Sequence, residues 1–204
     1  MSEFNFMYDR RLNLQLGFHG CDESVRDKLI NDPDTIEISS APYDWLGHGF
    51  YVWENNHTRA LNFARDKQKR SGIENPSVVG VIYDLGECLD FTDQKFTDMI
   101  STAYDLMVIA YQQKNLIIPE NRTLKMDSHN DYLLRDLDCS VIQFLHELTE
   151  AVSPPQGLKS FDSVRGVFWE GGPAYPGAGI YKKAHIQICI KNLNCIKGFF
   201  KVRQ

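Results

Sequence analysis

The chain predicts an α+β fold, strand-rich at both ends with helices in the middle, and three patterns carry that expectation. Leu12, Leu14, Leu16 and Phe18 alternate with Asn13, Gln15 and Gly17, the period of two of a half-buried strand, ending at His19-Gly20. Ala60, Phe63 and Ala64 recur at helical spacing directly after the aromatic, β-branched run Phe50–Trp53. Further on, Leu133, Leu137, Val141, Leu145 and Leu148 form one long stripe. Strand, helix, strand, helix, strand, helices and three final strands is a grouped order, the α+β pattern, rather than a strict alternation.

Taken in order, the strand Leu12–Phe18 is followed by Asp22 and Ser24, which cap a short helix through Ile30. A loop runs through Asn31, Pro33 and Ser39-Ser40. Gly47-His48-Gly49 then opens the strand Phe50–Trp53, and Asn55 or Asn56 caps the helix that ends in the basic stretch Arg65–Arg70. Ser77–Leu85 is nearly continuous apolar and reads as a buried strand, with Gly86-Glu87 as a turn and Cys88–Phe91 extending it. Helices are expected over Phe96–Gln113 and Tyr132–Leu148, and strands over Ser163–Trp169, His185–Lys191 and Cys195–Val202. Glu170–Gly179, with four glycines and two prolines, is a loop by composition. With no repeat and no long linker, residues 1–204 read as a single domain carrying a helical insertion at about 93–150.

Composition narrows the function classes. Of 204 residues, 43% are hydrophobic, and twelve Phe, nine Tyr and three Trp supply enough apolar surface to exclude a mainly disordered chain. No apolar run reaches the ~18–20 residues that span a bilayer, and Met1–Asn5 lack the basic-then-apolar order of a signal peptide, so the expected location is cytoplasmic with no membrane partner. A net charge of -5 excludes a global positive field for nucleic acid and leaves only a local basic groove. Five cysteines without a C-x-x-C pair fit reduced thiols. No metal site is expected, because a zinc site needs Cys and His ligands clustered at short spacing, and the candidate set His185, Cys189 and Cys195 is spread over two predicted strands.

Two segments carry chemistry. Leu16-Gly17-Phe18-His19-Gly20, followed about thirty residues later by Gly47-His48-Gly49-Phe50-Tyr51, resembles the paired strands of the ADP-ribosyltransferase superfamily, in its histidine–tyrosine clade of poly(ADP-ribose) polymerase and diphtheria-toxin catalytic domains. The resemblance spans most of the chain in order, since that family also places a helix after the Tyr strand and two linked strands at the C-terminus. It implies an ADP-ribosyltransferase-like split β-sheet core and NAD as the substrate that is cleaved. It further implies that His19 holds a ribose hydroxyl and that the main chain of Gly20 pairs with the nicotinamide carboxamide, with Gly49 part of the same cofactor-binding pattern. Tyr51 would stack on the nicotinamide ring, and Phe63 falls where relatives carry a second stacking aromatic. Taken alone, His19 also reads as a strand-end histidine satisfied by main chain, and Tyr51 as a core aromatic.

The family's third position is a glutamate at the start of the penultimate strand, and here the sequence departs from the pattern. His185-Ile186-Gln187-Ile188-Cys189-Ile190 contains no acid. Gln187 matches the register best, its amide still able to accept from a ribose hydroxyl. Glu170, across the Gly/Pro loop, is the rival acid, and His185 shares a strand face with Gln187. A neutral amide stabilises a developing cation less than a carboxylate does, so mono-transfer or NAD hydrolysis is expected rather than polymer growth. The resemblance implies an NAD-dependent mono-ADP-ribosyltransferase, an intracellular toxin or defence effector, acting on a nucleic acid or protein acceptor and partnered by an antitoxin or immunity protein. Tyr175, an aromatic amid glycines, is the candidate for acceptor contact. The alternatives are a non-catalytic NAD- or nucleotide-binding module and an NAD glycohydrolase.

Overall fold

A seven-stranded sheet organises the computed structural model, which describes residues 11–70, 72–124, 129–151 and 160–203. In chain order the elements are β1 (Gln15–Asp22), α1 (Glu23–Asn31), β2 (Phe50–Glu54), α2 (His57–Lys69), β3 (Pro76–Tyr83), β4 (Cys88–Asp90) and α3 (Gln94–Gln113). There follow β5 (Asn121–Arg122), β6 (Leu134–Arg135), α4 (Asp136–Ala151), β7 (Ser163–Phe168), β8 (His185–Ile190) and β9 (Ile196–Lys201). The sheet order is β4-β7-β8-β2-β1-β3-β9, antiparallel throughout except for the parallel β4–β7 pair. The α+β class is thus as the sequence predicts.

Local chemistry sets the helix starts. The Asp22 carboxylate accepts the Ser24 N–H, the Asn56 amide oxygen accepts the Arg59 N–H, and Asp93 accepts that of Lys95, each satisfying an amide left without a partner in a first turn. Asn55 takes a positive φ of 48° between β2 and α2, a conformation that asparagine tolerates better than most residues.

Both sheet faces are covered. One carries Phe50, Val52, Val79, Val81, Tyr83, Ile188 and Ile190 with Leu29 of α1. On the other, Leu46, Leu89, Val164 and Cys189 meet Ala103 and Met107 of α3 and Val141, Ile142 and Leu145 of α4. Beside them Trp53 and Val78 pack on Ala60 of α2. The helical segment at 93–150 therefore supplies one wall of the core. Arg165 on β7 bridges Glu54 at 2.6 Å and Asp90 at 3.0 Å, tying β2, β7 and β4 together across β8.

Three expectations need correction. Leu14 and Leu16 are 53% and 45% exposed, whereas Gly17 and Cys21 of β1 are buried. The larger side chains Val52 and Tyr83 fill the space above Gly17, within 3.0 Å of where its Cβ would lie, so the inward positions of β1 are small. Cys88–Asp90 does not extend β3; the chain turns away at Gly86, φ 59°, and β4 pairs with β7 at the opposite edge. The second long helix starts at Asp136, not Tyr132, because Leu134-Arg135 pairs with Asn121-Arg122 in a small two-stranded sheet.

Candidate active site

Strands β1 and β2 pair only at Gly17–Glu54 and Phe18–Trp53, although both continue beyond that point. Past Phe18 the His19 imidazole, not the backbone, reaches the neighbouring strand: its Nδ1 lies 2.7 Å from the Tyr51 carbonyl oxygen. A carbonyl only accepts, so Nδ1 carries the hydrogen and Nε2 keeps a lone pair. Stacking on Phe50, with centroids 4.5 Å apart, holds the ring flat. Desolvation, partly opposed by the bond to Tyr51, lowers the pKa of His19 to about 4, so the ring is neutral at pH 7. A neutral acceptor held by strand and ring suits a hydroxyl donor.

A cavity of about 530 Å³ opens where the two strands part. His19, Gly20, Gly49, Tyr51, Phe63 and Gln187 all line it, so the structure brings six of the eight sequence-selected residues to one place. Their individual roles differ from expectation in part. The Tyr51 hydroxyl donates to the Gly47 carbonyl oxygen at 2.7 Å and accepts from the Leu46 N–H at 3.0 Å. Burial raises its pKa well above the usual phenol value, so Tyr51 offers a ring surface and no base. A Cβ on Gly20 would lie 2.1 Å from the Ala60 carbonyl oxygen, and one on Gly49 would lie 2.6 Å from both Cys189 Sγ and Ile190 O. Helix–strand and strand–strand packing therefore already requires both glycines, whatever occupies the cavity. Phe63 packs at 4.9 Å from Trp53, with the Lys67 ammonium 5.4 Å from its ring centre.

Next to this cavity lies a second, of about 350 Å³, and Tyr43, Trp45, Trp53, Phe63, Lys67 and Gln187 line both. Glu170 and His185 line only the second. Gln187 is buried, and its Oε1 accepts the Trp45 indole N–H at 2.5 Å; an indole nitrogen only donates, which fixes the amide orientation. The acceptor expected for a ribose hydroxyl is thus already engaged by Trp45, with one lone pair remaining. Glu170, equally buried, is paired with Arg59 and lies 3.7 Å from the Lys183 ammonium. His185 donates from Nδ1 to the Lys183 carbonyl oxygen at 2.7 Å and stacks on Phe168. Burial lowers its pKa to about 4.

The Gly/Pro loop closes as a small hairpin on Glu170, through Lys183 N–H to Glu170 O and Ala174 N–H to Ile180 O, both within 3 Å. Tyr175 is 60% exposed on it and lines neither cavity.

Sequence reasoning noted Lys67 and Arg70 only as part of the basic stretch Arg65–Arg70 and passed over Arg59 and Asp66; all four line the second cavity together with Phe63. Their spacing of three and four residues puts them on one face of α2 and its C-cap Arg70, a signal present in the sequence. Trp53, two residues after Tyr51, shares that strand's face by the same logic. Asp44, which also lines the first cavity, accepts from Ser39 Oγ and the Ala41 N–H, while burial raises its pKa. Nothing in its local sequence marks it.

Among the described residues, no cluster of three or more His, Cys, Asp or Glu is placed to hold a metal, and no helix is long and apolar enough to cross a membrane. No family model, curated protein or solved structure matches the chain.

Proposed function

We propose that the chain is an NAD-dependent mono-ADP-ribosyltransferase of the histidine–tyrosine type, with NAD bound in the gap between β1 and β2. The observation that carries this is the gathering of His19, Gly20, Gly49, Tyr51, Phe63 and Gln187 around one cavity at an interrupted strand pair. Breaking the bond between ribose C1′ and the nicotinamide nitrogen sends the bonding electrons to nicotinamide and leaves positive charge on the ribose. The residues needed are those that orient the ribose and bury the ring. His19, neutral and with Nε2 free to accept, holds a ribose hydroxyl, and the ring of Tyr51 stacks on nicotinamide. Gln187 lies at the seam of the two cavities, where its remaining lone pair faces the reacting sugar with no full charge; that supports single transfer over polymer growth. On this reading the acceptor is a nucleic acid or protein, the setting is a cytoplasmic toxin or defence effector, and an antitoxin or immunity protein is the natural partner.

Titration with NAD and assay of nicotinamide release test the proposal together. NAD is expected to bind and to raise the melting temperature by mass action, and His19→Ala to weaken binding about tenfold or more. Absence of NAD binding to the folded wild-type chain would overturn it. The engagement of Gln187 by Trp45 favours one second reading, an NAD-binding module without turnover. Binding without nicotinamide release would select that reading.

A further inference from the structure

We infer that the second cavity is a binding site for a flat heteroaromatic base, the group that receives ADP-ribose. Its wall is built from rings: Trp45, Trp53, Phe63, Phe168 and His185 line it, with the Arg59 guanidinium 5.9 Å from the Trp53 ring centre. Such a wall takes planar ligands by stacking.

The polar groups point to the same class. Arg59 is 9% exposed, and although its Nη2 is paired with Glu170, its Nε and Nη1 are buried without a hydrogen-bond partner among the described residues. The Trp53 indole N–H, in a residue only 2% exposed, is also without one. Buried donors are nearly always satisfied in folded proteins, so three orphans in two residues of one cavity wall call for acceptors brought by a ligand. A base carries carbonyl and ring-nitrogen acceptors in its own plane, and its N–H groups match the Glu170 carboxylate and the acceptor nitrogen of neutral His185. A compact oxyanion would meet Lys67 and Arg70 of the same lining, but it would leave the rings unused and would also sit beside the Glu170 and Asp66 carboxylates.

The role as acceptor rests on NAD occupying the neighbouring cavity; binding of the base does not. A nucleophilic atom of the base bonds to ribose C1′, nicotinamide leaves with the electron pair of the broken bond, and the proton on the attacking atom passes to water. Gln187, lining both cavities, marks where the two reactants meet.

The test is titration of the full chain with the four nucleoside 5′-monophosphates, with ribose 5-phosphate and inorganic phosphate as controls. At least one nucleotide is expected to bind, unchanged in His19→Ala and unaffected by saturating NAD, while the controls bind at least tenfold more weakly. The pair Arg59→Met with Glu170→Gln removes both buried charges together, and Phe168→Leu thins the ring wall without touching them; each is expected to weaken nucleotide binding about tenfold. No nucleotide binding at about 10 mM, equal binding of ribose 5-phosphate, or competitive displacement by NAD would each overturn the inference. Because NAD affinity is read separately, its loss with nucleotide binding intact would instead count against the proposed transferase.

Discussion

Gly20→Ala separates packing from ligand binding at the residue where the two were hardest to tell apart. The added methyl would sit 2.1 Å from the Ala60 carbonyl oxygen, against an ordinary contact of 3.4 Å, so strand and helix must part by about 1.3 Å. Strand β1 cannot yield easily, being bonded to β3 along its whole length. Helix α2 must therefore lift, loosening the fully buried Ala60 and Ala64 and the contact with Trp53. Overpacking of this kind costs about 3 kcal/mol, the upper part of the usual range, because the obstacle is backbone and cannot rotate away. For a chain of this size that corresponds to a fall of about 6–12 °C in Tm. Urea and thermal unfolding of the wild type and the variant, without ligand, measure it. A change below about 0.5 kcal/mol would refute the packing account and return Gly20 to the role of making room for a ligand.

Three other outcomes are expected. Stability should fall as pH drops from 6.5 toward 4, by about 1 kcal/mol per buried histidine between pH 6.5 and 5.5, because burial lowers the pKa of His19, His146 and His185 to about 4, so that the unfolded chain takes up protons the folded one refuses. Urea unfolding across that range should show His146→Leu removing one histidine's share of the slope, and an unaltered slope would contradict it. Arg165→Met should destabilise by about 2 kcal/mol in urea unfolding, since it strands the Glu54 and Asp90 carboxylates at the β2–β7–β4 junction, where partial exposure keeps the loss below that of a fully buried pair. Tyr51→Phe keeps the ring and removes two hydrogen bonds to the Leu46-Gly47 turn, so stability should drop by about 1–2 kcal/mol while NAD affinity, measured by titration, stays within about twofold.

The sequence by itself determined what depends on neighbours along the chain. The α+β class, the cap at Asp22, a cap at Asn55 or Asn56, and the strands holding His19, Tyr51 and Gln187 follow from short-range periodicity and from side chains that bond to nearby backbone, with the structure choosing Asn56. The helical face of Arg59, Phe63, Lys67 and Arg70 was equally legible, since spacing alone places those residues together. Only the tertiary structure decided what depends on distant partners. That β4 leaves β3 for the far edge, and that β1 turns its leucines outward because Val52 and Tyr83 occupy the inner side, are choices between strand pairings of similar local merit. So too are the engagement of Gln187 by Trp45, 142 residues away in sequence, and the pairing of Glu170 with Arg59. Period two says which side chains share a face and helical spacing says which share a stripe. Which face meets which is set by the packing of the whole chain, where volume and buried charge are settled together.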